Sequence, residues 1–399
     1  MTPRHSVSTG HPFAPGYQPG VDTEKTPARF GIAGVKGAAA SPGRRLSELD
    51  ALRGLAAVVV LLHHSLQSAD LMAGRLGHWL GATPLQPIQT GRPAVMFFFM
   101  LSGFVLTKAL RDRGFVLSVR SWGVWAAQRT IRLCLPVAGS VALSLILYAL
   151  FFDGTWPGEG AWLRDGVWQH PQTLASVASQ VSLVALGDGF TLNNALWSLV
   201  HEWRFSMLLP IVLAAPVLGV RGTASLVLAA LAASSWAIGS YGLTTYVGDT
   251  AIGTVKATLY FSLPFVLGMA LEIGGAARLP ADRWMTVLGL AAVLGLCRNG
   301  SDYAIFTASA ILIWLALQPG PLQRVLRHSV LRFLGTVSFS LYLVHVPILA
   351  ALQHGLHGRL SPAAIWAIGV VASLLAAWMF YRTVERPAHR LARRMERMA

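Results

Sequence analysis

Charge is scarce in this chain. Only 12% of its 399 residues are Asp, Glu, Lys or Arg, about half the share found in soluble domains, and 54% are hydrophobic. Together with a mean hydropathy of +0.54, this excludes a water-soluble globule and a disordered chain alike. Cysteine is almost missing: Cys134 and Cys297 are the only two, each at or inside an apolar stretch. That excludes a disulfide scaffold and leaves no metal-ligand spacing, so both read as packing residues and no metal is expected. Acidic residues are few, 17 against 32 Lys and Arg, for a formal charge of +15. In a soluble protein such an excess would point to nucleic acid. In a membrane protein it marks basic loops held on the cytoplasmic side, and no nucleic-acid partner is expected. Glycine (39) and tryptophan (13) are plentiful, which suits close helix packing and interfacial anchoring in a bilayer.

Residues 1–46 are rich in Pro, Gly, Ser, Thr and Ala without any period and read as a disordered cytoplasmic tail. The tail has no apolar segment followed by a small-residue cleavage site, so the first apolar run, Leu52 to Ala69, is expected to act as an uncleaved insertion signal. Runs of about 17 to 22 apolar residues are long enough to span a bilayer. They occur near 52–70, 94–110, 133–152, 196–217, 223–240, 251–272, 284–299, 303–318, 331–352 and 363–381. The expected fold is an all-α polytopic membrane helix bundle of about ten transmembrane helices over residues 47–390, followed by a basic cytoplasmic tail at 391–399. The polar-punctuated stretch from Leu174 to Leu186, with Ser176, Ser179, Gln180 and Ser182, reads as an interfacial or re-entrant helix.

An even number of spans puts both termini on one side. With them fall Lys108, Arg111, Arg113, Arg120, Arg129, Arg132, Arg324, Arg327 and the Arg-rich C-terminus. The other side receives the 153–195 loop, where Asp153, Glu159, Asp165 and Asp188 face a single Arg164. Both termini are therefore expected in the cytoplasm.

Ionisable groups inside spans are costly, and each is a functional candidate. Arg53 and His64 are eleven residues apart in the first span. That is about three turns plus 20°, which puts them on one helix face about 16 Å apart along the axis, with His63 about 80° away. The second span carries Phe97-Phe98-Phe99-Met100-Leu101-Ser102-Gly103-Phe104, where Ser-Gly permits close backbone approach. His201, Glu202 and Arg204 stand together between and beside Trp197 and Trp203; Glu202 and Arg204 could pair at an interfacial helix end. Arg129 and Arg132, three apart, share one face of the helix leading into the third span. Such a pair can clamp phosphate or meet lipid headgroups. Arg382, Arg386, Arg390, Arg393, Arg394 and Arg397 read as headgroup contacts.

Five patterns stand in order: Asp50-x-x-Arg53-Gly54 with His64, Phe97-Phe98-x-x-Ser102-Gly103-Phe104, Leu196-Trp197-Ser198-Leu199-x-x-Glu202, Ser338-x-Ser340-Leu341-Tyr342-Leu343-x-His345, and Glu385-Arg386-Pro387. Together they resemble the acyltransferase 3 family of integral membrane O-acyltransferases, familiar from bacterial polysaccharide O-acetylation. The resemblance runs from about Leu46 to Arg390, and departs from the best-known members at Trp203-Arg204-Phe205-Ser206. It implies a multi-pass protein of the bacterial inner membrane that moves an acyl group, most commonly acetyl, from cytoplasmic acyl-CoA to a hydroxyl of an extracytoplasmic glycan or glycolipid. It also implies His64 as general base with Arg53 essential beside it. Glu202 is a candidate to orient His64, and Arg53, Arg129, Arg132 and Ser102 are candidates for the donor site. An imidazole suits the task because a sugar hydroxyl is a poor nucleophile and neutral imidazole takes a proton near pH 7. A secondary transporter or flippase for a lipid-linked sugar would also use ten helices and intramembrane His and Glu. Against it, the Arg/His and Glu clusters have no counterpart in the second half of the chain. Oligomeric state is left open by the sequence.

Overall fold

The computed structural model describes residues 46–156, 159–169, 172–184, 189–214, 219–241, 246–248, 250–275 and 281–398. The expectation for the N-terminal tail lies outside these residues. Among them the protein is helical throughout, with no strand. Ten long helices carry the fold: α1 (Ser47–Ser68), α2 (Arg92–Asp112), α3 (Val119–Phe151), α4 (Trp197–Leu213), α5 (Val220–Tyr241), α6 (Ala251–Ile273), α7 (Arg283–Arg298), α8 (Asp302–Leu317), α9 (Ser329–Leu356) and α10 (Pro362–Phe380). Seven are long and apolar enough to cross a bilayer unaided, α10 together with its continuation. The exceptions are α4, with 17 residues, and α7 and α8, with 16 each. Sixteen residues rise about 24 Å, somewhat short of a hydrocarbon core about 30 Å thick.

Contacts nevertheless carry all three from one face of the bundle to the other. The helix α1 meets Arg327, just ahead of α9, through Glu48, and meets α9 itself at Gly54–Gly335 and His64–His345, in the same order along both, so the two run parallel. Likewise α2 meets α6 at Arg92–Tyr260, Gly103–Phe265 and Arg111–Glu272. First with ninth and second with sixth are parallel in a chain of ten alternating crossings. Counting only the seven longer helices would make both pairs antiparallel. The hairpin of α7 and α8 runs from the Ala281–Pro319 hydrogen bond near the start of α9 to Arg298 on the carbonyl of Thr83 and Asp302 on Arg92 at the far end. The segment Leu174–Ser182 forms a nine-residue helix, about 14 Å long and too short to span, as expected of an interfacial element.

Glycine sets the closest helix approach. A Cβ on Gly54 would lie 2.4 Å from the Gly335 nitrogen, and one on Gly335 would lie 2.2 Å from the Asp50 carbonyl oxygen. The α2–α6 pair repeats the device, with Gly103 against Phe265 and Gly268 against Met100. Prolines inside the helices free carbonyls that the bundle then satisfies. Pro347 removes the partner of the Leu343 carbonyl, which accepts from Ser140 Oγ and Asn193 Nδ2, each at 2.7 Å. Pro210 does the same to Ser206, whose carbonyl accepts from Trp125 Nε1 at 2.7 Å.

Gly54→Ala and Gly335→Ala should each lower the melting temperature of detergent-purified protein, by a destabilisation of about 1–3 kcal/mol. Gly239→Ala, where nothing stands within 4 Å of the added carbon, should leave it unchanged; scanning fluorimetry of the three variants makes the comparison.

Candidate active site

The α1–α9 seam carries two polar stations. At the end where α1 begins, Arg53 donates from Nε to Ser338 Oγ at 2.9 Å and from Nη2 to the Gly335 carbonyl at 3.1 Å. Asp50, one turn earlier, lies 3.6 Å from the same guanidinium, which keeps about a third of its side chain exposed (36%). The spacing that puts Arg53 and His64 on one face is thus realised against a single partner helix.

The outer station is His64. Its Nδ1 stands 2.8 Å from His345 Nε2. The two rings are tilted by 4° with centroids 5.1 Å apart. With nitrogens this close, that centroid distance means the imidazoles lie edge to edge in one plane, aligned for a straight hydrogen bond. The other end of the chain fixes the direction. His345 Nδ1 is 3.0 Å from the Leu341 carbonyl, which can only accept, so Nδ1 carries the proton. In the neutral ring Nε2 is then an acceptor, and the bond must come from His64 Nδ1–H. The unprotonated nitrogen of His64 is therefore Nε2. His64 keeps accessible surface among surrounding protein, and Trp162, from the outer loop, stacks on its face at 5.1 Å and 23°. His63 is set aside, with its ring against Gly91.

Glu202 does not orient His64. Its Oε1 accepts from Arg129 Nη2 at 3.0 Å, and the position that would orient His64 is taken by His345. Nor does Glu202 pair with Arg204, which reaches Thr258 Oγ1 at 2.9 Å and the Val184 carbonyl at 3.3 Å. The reason lies in the antiparallel packing of α3 on α4. Trp122 and Trp125 bond the carbonyls of Met207 and Ser206, and Trp203 bonds Thr130, which sets Arg129 level with Glu202. His201 is a core residue: fully buried, it donates from Nε2 to the Tyr246 carbonyl at 2.8 Å, among Phe99, Trp197 and Phe261.

Several arginines lie at the end of the bundle where α1 begins. Arg129 is buried, Arg132 is exposed beside it, and Arg132 lies within electrostatic reach of Arg129, Arg53, Arg393 and Arg113. Arg129 Nε has no hydrogen-bond partner among the described residues. Ser102 sits half-buried on α2, and no described contact joins it to the arginines. On the 153–195 loop, away from the spans, Glu159 is buried with no partner for Oε2 among the described residues, and burial pushes its carboxyl above the ordinary range.

Comparison with known proteins places the chain in a family. The family profile described as an acyltransferase domain, that of acyltransferase 3, matches residues 46–382. The chain belongs to the acyltransferase 3 family. Acyltransferase MdmB of Streptomyces mycarofaciens is 27% identical, over 89% of this chain and 94% of its own length. Acyltransferase R4 of a Phoma species is 26% identical, over 82% and 86% respectively, and acyltransferase clz18 of Cochliobolus lunatus is 22% identical, over 88% and 96%. No solved structure matches.

Two groups beside His64 escaped the reading by spacing. His345 stands in a recognised pattern, but nothing in its own span marks it as the partner of a residue 281 positions away. Trp162 lies in a loop without periodicity and carries no signal at all.

A double-mutant cycle tests the Arg129–Glu202 pair. Arg129→Gln and Glu202→Gln should each destabilise the protein, and the double variant should recover about 1–3 kcal/mol relative to their sum, read as melting temperatures.

Proposed function

We propose that this acyltransferase moves an acyl group, acetyl in the first instance, from cytoplasmic acyl-CoA to a hydroxyl on a glycan or glycolipid presented at the opposite face. His64 is the general base. The observation that carries the reading is the hydrogen-bond chain from His64 Nδ1–H through His345 to the Leu341 carbonyl, which leaves the lone pair of His64 Nε2 for the acceptor.

In the transfer, the acceptor oxygen attacks the thioester carbonyl carbon and its proton goes to His64 Nε2. The new C–O bond forms as the C–S bond breaks, and the proton then passes to the departing sulfur, releasing CoA as the free thiol. As His64 becomes imidazolium, its Nδ1–H remains bonded to His345 Nε2. His345 thus plays the orienting part that a carboxylate plays in triads, without placing a second charge in the membrane, where an unpaired carboxylate is expensive. The Arg-rich inner face is the cytoplasmic one by the distribution of basic residues. Both termini lie there, in a bacterial inner membrane. Arg53, Arg129 and Arg132 hold the donor phosphates by charge-assisted hydrogen bonds. Support for the direction of transfer comes from the parallel course of α1 and α9, which sets Arg53 and His64 on one seam about 16 Å apart along the axis, between a charged donor and an acceptor entering under Trp162.

The test is consumption of acetyl-CoA by purified protein in liposomes, with candidate glycan acceptors. His64→Ala should reduce turnover by about 10²–10⁴-fold while its melting temperature stays that of the parent. His345→Ala should lower kcat without raising KM for acetyl-CoA, because it directs the base and does not touch the donor. Parental turnover from His64→Ala would remove the proposed base.

A further inference from the structure

The 153–195 loop lays three of its tryptophans on histidines of α1 and the end of α9. Trp156 stacks on His357 at 4.2 Å and 25°, Trp168 on His354 at 5.4 Å and 24°, and Trp162 on His64 at 5.1 Å and 23°. The indole of Trp168 is fully buried and donates from Nε1 to Ser144 Oγ at 2.9 Å, which ties the loop to α3. Ahead of it the short helix Ala161–Gly166 packs on the end of α1. A Cβ on Gly160 would lie 3.3 Å from the Gln67 carbonyl oxygen, and Leu163 is buried. Trp162 is thus held over the imidazole by contacts on both sides of it in sequence.

The three pairs differ in what else could compensate a positive charge on the imidazole. His357 is exposed, and His354 has the Asp153 carboxylate 3.5 Å from its Nδ1. His64 is half-buried and meets no carboxylate among the described residues. The rings around it are His63, tilted by 43° at 5.1 Å, His345, joined to it at 2.8 Å, and Trp162. An imidazolium forming at this depth is costly. His345 Nε2 compensates it within the plane of the ring, as a hydrogen-bond acceptor, and leaves the faces to other groups. The face of an indole carries the negative end of its quadrupole. It attracts a cation within about 6 Å of the ring centroid, most strongly where both are desolvated. The measured 5.1 Å falls inside that range.

We propose that Trp162 is a positioning residue that acts through His64, its indole face stabilising the imidazolium that forms when the acceptor hydroxyl gives up its proton. This rests on the reading of His64 as general base. The two neighbours of His64 then have separate tasks. His345 fixes which nitrogen is free, and Trp162 favours the charge that arrives there. A neutral imidazole gains less from the indole than a charged one does, so the contact strengthens as the proton moves. That difference between ground state and transition state is what makes an interaction accelerate a reaction. Once the proton has passed to the departing sulfur, the ring is neutral again and the extra attraction is gone.

The experiment is CoA release from acetyl-CoA by the full-length protein in liposomes holding dodecyl glucoside as acceptor. Trp162 is replaced in turn by tryptophan carrying one, two or three fluorines, which draw electron density from the ring face and leave its size nearly unchanged. With each fluorine kcat should fall, and in Trp162→Leu it should fall about tenfold. The fluorinated variants should keep the parental melting temperature and KM for acetyl-CoA. Trp156→Leu, which removes the like stack from His357, should keep the parental kcat. Parental kcat throughout the fluorinated series would deny the charge of the ring face any part, whatever Trp162→Leu does, and an effect confined to KM would make the indole a substrate contact. Either result overturns the inference while the base reading stands. A parent that releases no CoA above protein-free liposomes, or His64→Ala releasing it at the parental rate, would remove the base reading and this inference with it.

Discussion

The contact between Gly54 and Gly335 is the constraint on which the functional geometry turns. With no Cβ on either side, the backbones of α1 and α9 approach closely enough for Arg53 to reach the Gly335 carbonyl and Ser338. The same approach sets His64 and His345 in one plane. In a bilayer there is little hydrophobic drive between helices, so packing of small residues and interhelical hydrogen bonds must do what burial does in water. The seam uses both devices, close glycines and interhelical hydrogen bonds between polar side chains.

The same economy governs the interior of the bundle. Proline breaks are matched by side-chain donors, Ser140 and Asn193 at the Leu343 carbonyl and Trp125 at that of Ser206. Each donor comes from a different element than the break it serves. Asn193 belongs to the chain entering α4, so the segment after the outer loop is pinned against α3 and α9 two residues before His345. The 153–195 loop and the His64–His345 pair are mechanically joined in this way, with Trp162 resting on the His64 ring.

Charge placement divides the molecule along the membrane normal. The end of the bundle where α1 begins gathers arginines from α1 and α3 around a few carboxylates, and the deeper station is held by imidazole pairing. Charged groups are concentrated where headgroups, water or a phosphorylated ligand can compensate them, and the deeper site relies on hydrogen bonds between uncharged rings. That division matches the differing cost of ions and dipoles at depth.

Apolar run length and the scarcity of charge were enough to fix an all-α polytopic membrane bundle, and helical spacing was enough to put Arg53 and His64 on one face and to leave His63 off it. Those properties are local: they follow from rise, angle and composition within one segment. The partners of those residues are not local. His345 beside His64 and Glu202 turned to Arg129 each depend on which helix lies beside which, and at what height. Helix packing and close glycine contacts set those heights, and no periodicity within a single span encodes them.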